Sequence, residues 1–264
     1  MRVYNMNVYI SVISHGHSEL INELSCLSDL SNHFKVVVKS NKPNDCFRQL
    51  ALNPNFHWLD NRYGCGFGHN NNIVFEYCQS ELSMSDNDVF IVLNPDVIIT
   101  VDSVKRLLSE MYNKEIKISA INLFKNKELT EFDNSIRHFP SLKQFVKSFL
   151  GLGNCSIIDK NKLTMLCSID WAAGSFLAFK ALHYKILGGF DEKYFMYCED
   201  IDLCYRSNKI KVPVTYHPNI VAIHLAQHAN RKIFSRHFYW HVSSVFRFLL
   251  SKLGMTKPSS SMKK

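Results

Sequence analysis

Short apolar runs alternate with amphipathic stretches through the first half of the chain. VYISVIS (Val8–Ser14), FKVVV (34–38), FHWL (56–59) and DVFIVL (88–93) are rich in β-branched and aromatic residues and predict strands. Between them, SELINELSCLSDL sets Leu20, Ile21, Leu24 and Leu27 at helical spacing, with Ser18 as its N-cap. NNNIVFEYC resumes that period, and VDSVKRLLSEMY follows as an amphipathic helix. DVFIVL is apolar throughout after its first residue, the pattern of a strand covered on both faces. Repeated strand–helix units of this kind predict an α/β fold with a mostly parallel central sheet flanked by helices.

The middle of the chain is less regular. IKISAINLF (116–124) and IDWAAGSFLAF (169–179) read as strands, SLKQFVKSFL (141–150) as a basic amphipathic helix and GLGNCSIIDKNKL (151–163) as loop. ALHYKILGG (181–189) is a short helix closed by glycine. No repeat or low-complexity linker divides residues 1–230, which are taken as one domain. Residues 231–255 predict a basic, aromatic-rich helical arm. Residues 256–264, ending in KPSSSMKK, predict a disordered tail.

Composition narrows the class. A hydrophobic fraction of 46% over 264 residues is too high for disorder, and a net charge of +8 favours anionic partners. Those partners could be nucleic acid, phosphorylated small molecules or an acidic membrane face. The eight cysteines form no C-x-x-C pair, which argues against a thiolate zinc site and fits reduced thiols in a cytoplasm. No window has the roughly 18–20 uninterrupted apolar residues of a spanning helix, and MRVYNMNVYISVIS lacks the apolar core of a leader.

Four stretches carry candidate chemistry, each with two readings. LNPD (93–96) ends the most apolar strand, where ligands collect in open α/β sheets. Asn94 and Asp96 there suit either a turn or the oxygen ligands of a divalent cation. DNRYGCGFGHNNN (60–72) is a glycine-rich loop opening a helix, either as plain turn chemistry or as a close backbone approach to an anion. In CEDIDLCYRS (198–207), Glu199, Asp200 and Asp202 either complement a helix dipole, with Asp202 pairing Arg206, or supply a general base within an aromatic-lined cleft. Among His217, His224 and His228, a core role and a ligand role are both open.

These four elements, in this order, resemble the family 2 glycosyltransferases, whose nucleotide-sugar-binding fold is called GT-A. The resemblance runs over about residues 7–230. It is strongest in IDWAAGSFLAFKALHYKILGGFDEKYFMYCEDIDLCYR, which is similar to the family signature DW-x-x-G…GGFDE-x-F-F-x-Y-x-ED-x-DL-x-R. LNPD is similar to the metal-binding D-x-D, in the variant that begins with Asn. The 61–72 block resembles the donor block of the rhamnosyltransferase branch. The whole chain resembles the rhamnosyltransferases of bacterial O-antigen assembly, which use dTDP-rhamnose and a sugar carried on undecaprenyl diphosphate.

The resemblance implies roles. Asp200 would be the catalytic base and Glu199 would support it or orient the acceptor. Ser14, Asn61, Gly64, Gly66, Asn71, Asn94 and Asp96 would line the donor site, and Trp171 and Gly174 the acceptor side. Some relatives carry a metal-ligating histidine about two dozen residues after the base, a position His224 fits. Asp96 and His224 would then hold Mg²⁺ or Mn²⁺ against the donor diphosphate. One base and no enzyme nucleophile imply an inverting, in-line displacement onto a polyprenyl-diphosphate-linked sugar. The resemblance implies a protein in the cytoplasm, peripheral on the inner face of the cell membrane, with no nucleic-acid partner; the basic, aromatic-rich arm at 231–255 either lies on the anionic lipid surface or packs its apolar stripe on the domain. A galactofuranosyl or other family 2 transferase shares the mechanism, and a basic nucleic-acid-binding module is the reading from another class. One departure stands out. Where relatives end the second strand in Asp-Asn, with that Asp on the nucleobase, this chain has Lys39 and Ser40.

Overall fold

A computed structural model describes residues 6–142, 144, 145, 156–225 and 236–262. Strand β1 (Val8–Ser14) lies between β2 (Lys35–Ser40) and β4 (Val89–Leu93), parallel to both, and β3 (Phe56–Leu59) adds parallel to β2. Strand β10 (Phe176–Lys180) then runs antiparallel between β4 and β6 (Ile118–Phe124). Beyond β6, strand β11 (Val214–His224) is parallel again, with a register shift between His217 and Val221. It carries two antiparallel neighbours, β8 (Cys167–Ile169) and the short β5 (Val97–Ile98). The result is one nine-stranded, mostly parallel sheet. A separate pair, β7 (Ile136–Arg137) with β9 (Trp171–Ala172), stands off it.

Both faces of this sheet are buried, as the unbroken apolar runs require. Along β1, Tyr9 and Ile13 join one core, with Val74 and Phe75 of helix α3 (Phe67–Ser80). Val8, Ile10 and Val12 join the other, with Ile21 of α1 (Ser18–Leu24) and Leu27 of α2 (Cys26–Ser31). Helix α4 (Val101–Asn113) is capped by Thr100, whose Oγ1 accepts from the Ser103 N–H, and buries Val104, Leu107 and Met111 on that second face. Helix α5 (Ala181–Ile186) ends at Gly188 and Gly189, both with positive φ. Helix α6 (Glu199–Lys209) and the C-terminal helix α7 (Arg236–Lys252) complete the first core, α7 through Val245 and Phe248.

Several local expectations differ from what is observed. Ser18 is the first helical residue rather than a cap, and its N–H is taken by Asp45 Oδ1 at 3.2 Å. The stretch 169–179 is not one strand: Ile169 ends β8, Trp171–Ala172 is β9, and β10 starts at Phe176 after a turn closed by Phe176 N–H on Ala173 O. The helix expected over 141–150, and His228, fall mostly or wholly outside the described residues. Where composition predicts a disordered tail, Ser259 and Ser261 are hydrogen-bonded to Asp191 and Glu192 and Met262 is buried.

The buried triplet Asn70–Asn71–Asn72 in α3 is a set of paired side chains. Asn71 Oδ1 accepts from Ser11 Oγ at 2.7 Å. Asn72 Oδ1 accepts from Tyr184 OH and Phe190 N–H, while its amide donates to Phe190 O and Glu192 Oε1. These bonds lock α3 onto the chain that leads to α6.

Candidate active site

A cleft of about 770 Å³ opens where the carboxyl ends of β4 and β11 meet the start of α6. Asn94, Trp171, Gly174, Glu199, Asp200 and His224 all line it. Each reaches it for a local reason. Asn94 follows the last residue of β4; its N–H is held by Ser175 O and its carbonyl by Val97 N–H, so the Asn-Pro-Asp segment is also a turn. Gly174 sits in the turn between β9 and β10 and sends its N–H to Asp200 Oδ2 at 3.0 Å. Asp200 Oδ1 accepts from Ile201 N–H at 2.8 Å. A side chain at Gly174 would press a Cβ to 3.0 Å from Phe67 Cε1.

Glu199 is 6% exposed, and its Oε2 has no hydrogen-bond partner among the described residues. Burial pushes its carboxyl well above the usual carboxylate range, and the neighbouring Asp200 adds to this. Burial also raises Asp200, but the Gly174 and Ile201 amides and the Arg137 guanidinium oppose the shift. The two acids therefore differ in kind. Two neighbouring amides and a guanidinium favour the Asp200 anion, whereas Glu199 has only its own backbone N–H to set against burial and the charge of Asp200. Asp202 is separate from both: it is buried in an ion pair with Arg206 at 2.7 Å and accepts from Ser251 Oγ. The helix-dipole reading of this acidic start holds for Asp202, while Asp200 faces the cleft.

Across the cleft, His224 Nε2 lies 3.5 Å from Asp96 Oδ1, and His224 Nδ1 lies 2.7 Å from Asp133 Oδ2. Burial alone would lower the imidazole, but the two carboxylates outweigh it and raise it to about 9. Burial likewise would raise Asp96, and the His224 imidazole holds it below its ordinary value instead. Asp133 and Arg137, which face these groups from the irregular stretch before β8, carried no spacing signal in the sequence.

The remaining donor-side residues do not line the cleft. Ser14 Oγ accepts from His17 N–H, and His17 in turn senses the Asp96 charge, which puts this loop on the Asp96 side. Asn61 is exposed, and its carbonyl accepts from Lys39 Nζ. Gly64 has φ +76° and donates to Asn41 O. Gly66 is tight for a reason other than a ligand: a Cβ there would sit 2.6 Å from Phe195 O. Asn71 is fully buried. Lys39 is fully buried too, and its ammonium donates to the carbonyls of Ser40, Asn61 and Arg62. Lys39 thus ties down the 61–64 loop.

No protein-family model matches the chain. It is, however, 38% identical over 248 residues, 93% of each chain, to the rhamnosyltransferase WbbL of Escherichia coli K12. The chain belongs to the family 2 glycosyltransferases. Over a shorter stretch of 84 residues, 32% of this chain and 27% of the relative, it is 33% identical to the N-acetylglucosaminyl-diphospho-decaprenol L-rhamnosyltransferase of Mycobacterium tuberculosis. Among solved structures, residues 1–349 of Staphylococcus aureus TarS in complex with UDP-GlcNAc match with a TM-score of 0.56 at 13% identity, covering 93% of this chain and 67% of that one. That likeness shows the shared GT-A fold.

The glycosyltransferase cleft has donors that fit a divalent cation only in part. Asp96 and His224 converge, and Asp133 fixes the imidazole so that Nε2 is turned toward Asp96, the carboxylate–histidine arrangement that orients a ligand. Among the described residues no group of three ligating side chains converges. Two protein ligands suit a hard cation that takes the rest of its shell from water and a substrate's phosphates.

Proposed function

We propose that this enzyme is an inverting rhamnosyltransferase that moves rhamnose from dTDP-rhamnose to a GlcNAc-diphospho-undecaprenol-type acceptor in O-antigen assembly. The observation that carries this reading is the single cleft lined by both Asp200 and the Asn94–His224 wall, with Asp96 on His224. The identity to WbbL over nearly the whole chain supports the sugar, and the shorter match to the mycobacterial enzyme supports a lipid-diphosphate acceptor.

In this reading the acceptor hydroxyl oxygen attacks C1 of the donor sugar. The bond from C1 to the diphosphate oxygen breaks, the proton passes to Asp200, and the nucleoside diphosphate leaves. Asp200 is held for this by the Gly174 and Ile201 amides, which leave its position fixed while the proton moves. Mg²⁺ or Mn²⁺ would be held by Asp96 and His224 and would neutralise charge on the departing diphosphate. Trp171, anchored by its Nε1 on His138 O and flanked by Arg137, walls the acceptor side.

In this reading a lipid-linked acceptor would bring the enzyme to the inner face of the cell membrane. Tyr239, Phe246 and Leu250 recur at helical spacing on the exposed side of α7, and Leu253 and Met255 extend the apolar strip. An amphipathic face of this kind suits insertion among anionic headgroups. No helix among the described residues is long and apolar enough to cross a membrane.

The test is a panel of nucleotide sugars offered to the purified enzyme with GlcNAc-diphospho-lipid and a divalent ion. Product from dTDP-rhamnose alone supports the reading; transfer only from another nucleotide sugar overturns it.

A further inference from the structure

The chain enters α6 through an unusual backbone. Tyr197 and Cys198, neither of them glycine, have φ of +71° and +63° in succession, and Cys198 offers no side-chain cap to the helix. Left-handed backbone at two consecutive side-chain-bearing residues is disfavoured and persists only where surrounding contacts over-determine it. Asp200 lies two residues beyond this elbow.

The contacts that hold the elbow come from a part of the chain far away in sequence, the N-terminal half of α7. Tyr197 OH is 3.1 Å from His237 Nδ1, and the ring also meets His241 edge-on at 5.1 Å. Trp240 stacks on Phe195 with centroids 4.4 Å apart. Ser244 Oγ donates to Met196 O at 2.9 Å. One turn further along, Arg247 pairs with the buried Asp191 and covers the Tyr194 ring. Core burial accounts for the seating of α7 through Val245 and Phe248. His237, Trp240 and His241 are half-buried and extend that helix face toward the elbow, where they meet Tyr197 and Phe195; His241 reaches the cleft itself.

We infer that α7 is a clamp on the 195–198 elbow, and that His237 and Trp240 are positioning residues that aim Asp200 at the Gly174 amide. The inference rests on the reading of Asp200 as base. It makes the helix part of the transfer machinery as well as a candidate membrane face. Releasing the elbow lets Tyr197 and Cys198 relax toward ordinary backbone, and the start of α6 turns with them.

The experiment compares His237→Ala, Trp240→Ala and the milder Tyr197→Phe with the wild type, and with Ser243→Ala on the exposed side of the same helix. Amide hydrogen exchange is followed at Gly174 and Ile201, whose N–H groups bond to Asp200, and at Ile10 and Ile91 in the central strands as a measure of the fold. The expected result is lost protection at Gly174 and Ile201 with the strand amides unchanged, kcat lower by roughly 10- to 100-fold for the alanine variants, and a donor KM within about twofold of wild type. Ser243→Ala changes none of these. Protection and kcat at wild-type levels in Tyr197→Phe and Trp240→Ala overturn the clamp. The exchange arm needs no turnover. A wild type inactive on every donor, with Gly174 exposed in the variants, would therefore count against the transferase reading and leave the clamp standing.

Discussion

The N–H of Gly174 donates to Oδ2 of Asp200 at 3.0 Å, joining the turn before β10 to the first turn of α6. This bond explains why a glycine and an acid 26 residues apart belong to one device. The amide holds the carboxylate, and the absence of a Cβ leaves room for the Phe67 ring. Gly174→Ala moves Phe67 or the turn by a few tenths of an ångström. It should lower kcat more than it raises the donor KM, measured by steady-state kinetics at saturating acceptor.

Glu199 governs the pH response. Its folded pKa is raised above the unfolded value by burial and by Asp200. The folded state therefore keeps its proton over a pH window in which the unfolded chain has lost it. Stability from this source is fully present below the unfolded carboxylate pKa of about 4.3 and is lost as pH rises through the raised folded value. Glu199→Gln removes that loss, so denaturant midpoints above neutrality should exceed wild type.

The proposed cation site is tested through a residue that would not touch the cation. Asp133 holds His224 Nδ1, so Asp133→Asn weakens the orientation of the imidazole and leaves Asp96 in place. The metal concentration for half-maximal turnover should rise by roughly 10- to 100-fold, the usual effect of losing an outer-shell carboxylate. Titration with Mn²⁺ after EDTA treatment measures it.

Lys39 carries a structural prediction. Its ammonium satisfies three backbone carbonyls out of contact with solvent. Lys39→Met fills the space and leaves those carbonyls without their donor, at a cost of about 1–3 kcal/mol in unfolding free energy. Urea denaturation reads the loss, and added dTDP should restore part of it if the 61–64 loop borders the nucleotide.

Phe246→Ser and Leu250→Ser, on the exposed strip of α7, should lower co-sedimentation with phosphatidylglycerol vesicles. Turnover on a water-soluble acceptor should stay at wild-type level, since neither side chain reaches the cleft.

Much of this architecture is legible in the chain itself. The apolar runs give β1, β2 and β4 because a strand buried on both faces has no polar positions to mislead the period. The Asn94–Asp96 turn follows the apolar strand β4 and His224 ends β11, whereas Asp200 opens helix α6. The turn at Ala173–Ser175 is not legible in this way, since Ala173 N–H goes to Ser135 O and Gly174 N–H to Asp200, partners well outside the local sequence. A Cβ at Gly66 would meet the carbonyl of Phe195, a residue far along the chain, and Asp133 lies in a stretch with no period at all. Residues whose partners lie a hundred positions away leave little local trace.

The most direct test of the account is dTDP release from dTDP-rhamnose by wild type and Asp200→Asn, each with GlcNAc-diphospho-lipid and a divalent ion. The account predicts acceptor-dependent release by wild type that EDTA abolishes, and a kcat lower by about 100-fold or more in Asp200→Asn with donor binding intact. Turnover by Asp200→Asn within about twofold of wild type would contradict the assignment of the base, because loss of a general base costs at least about 100-fold.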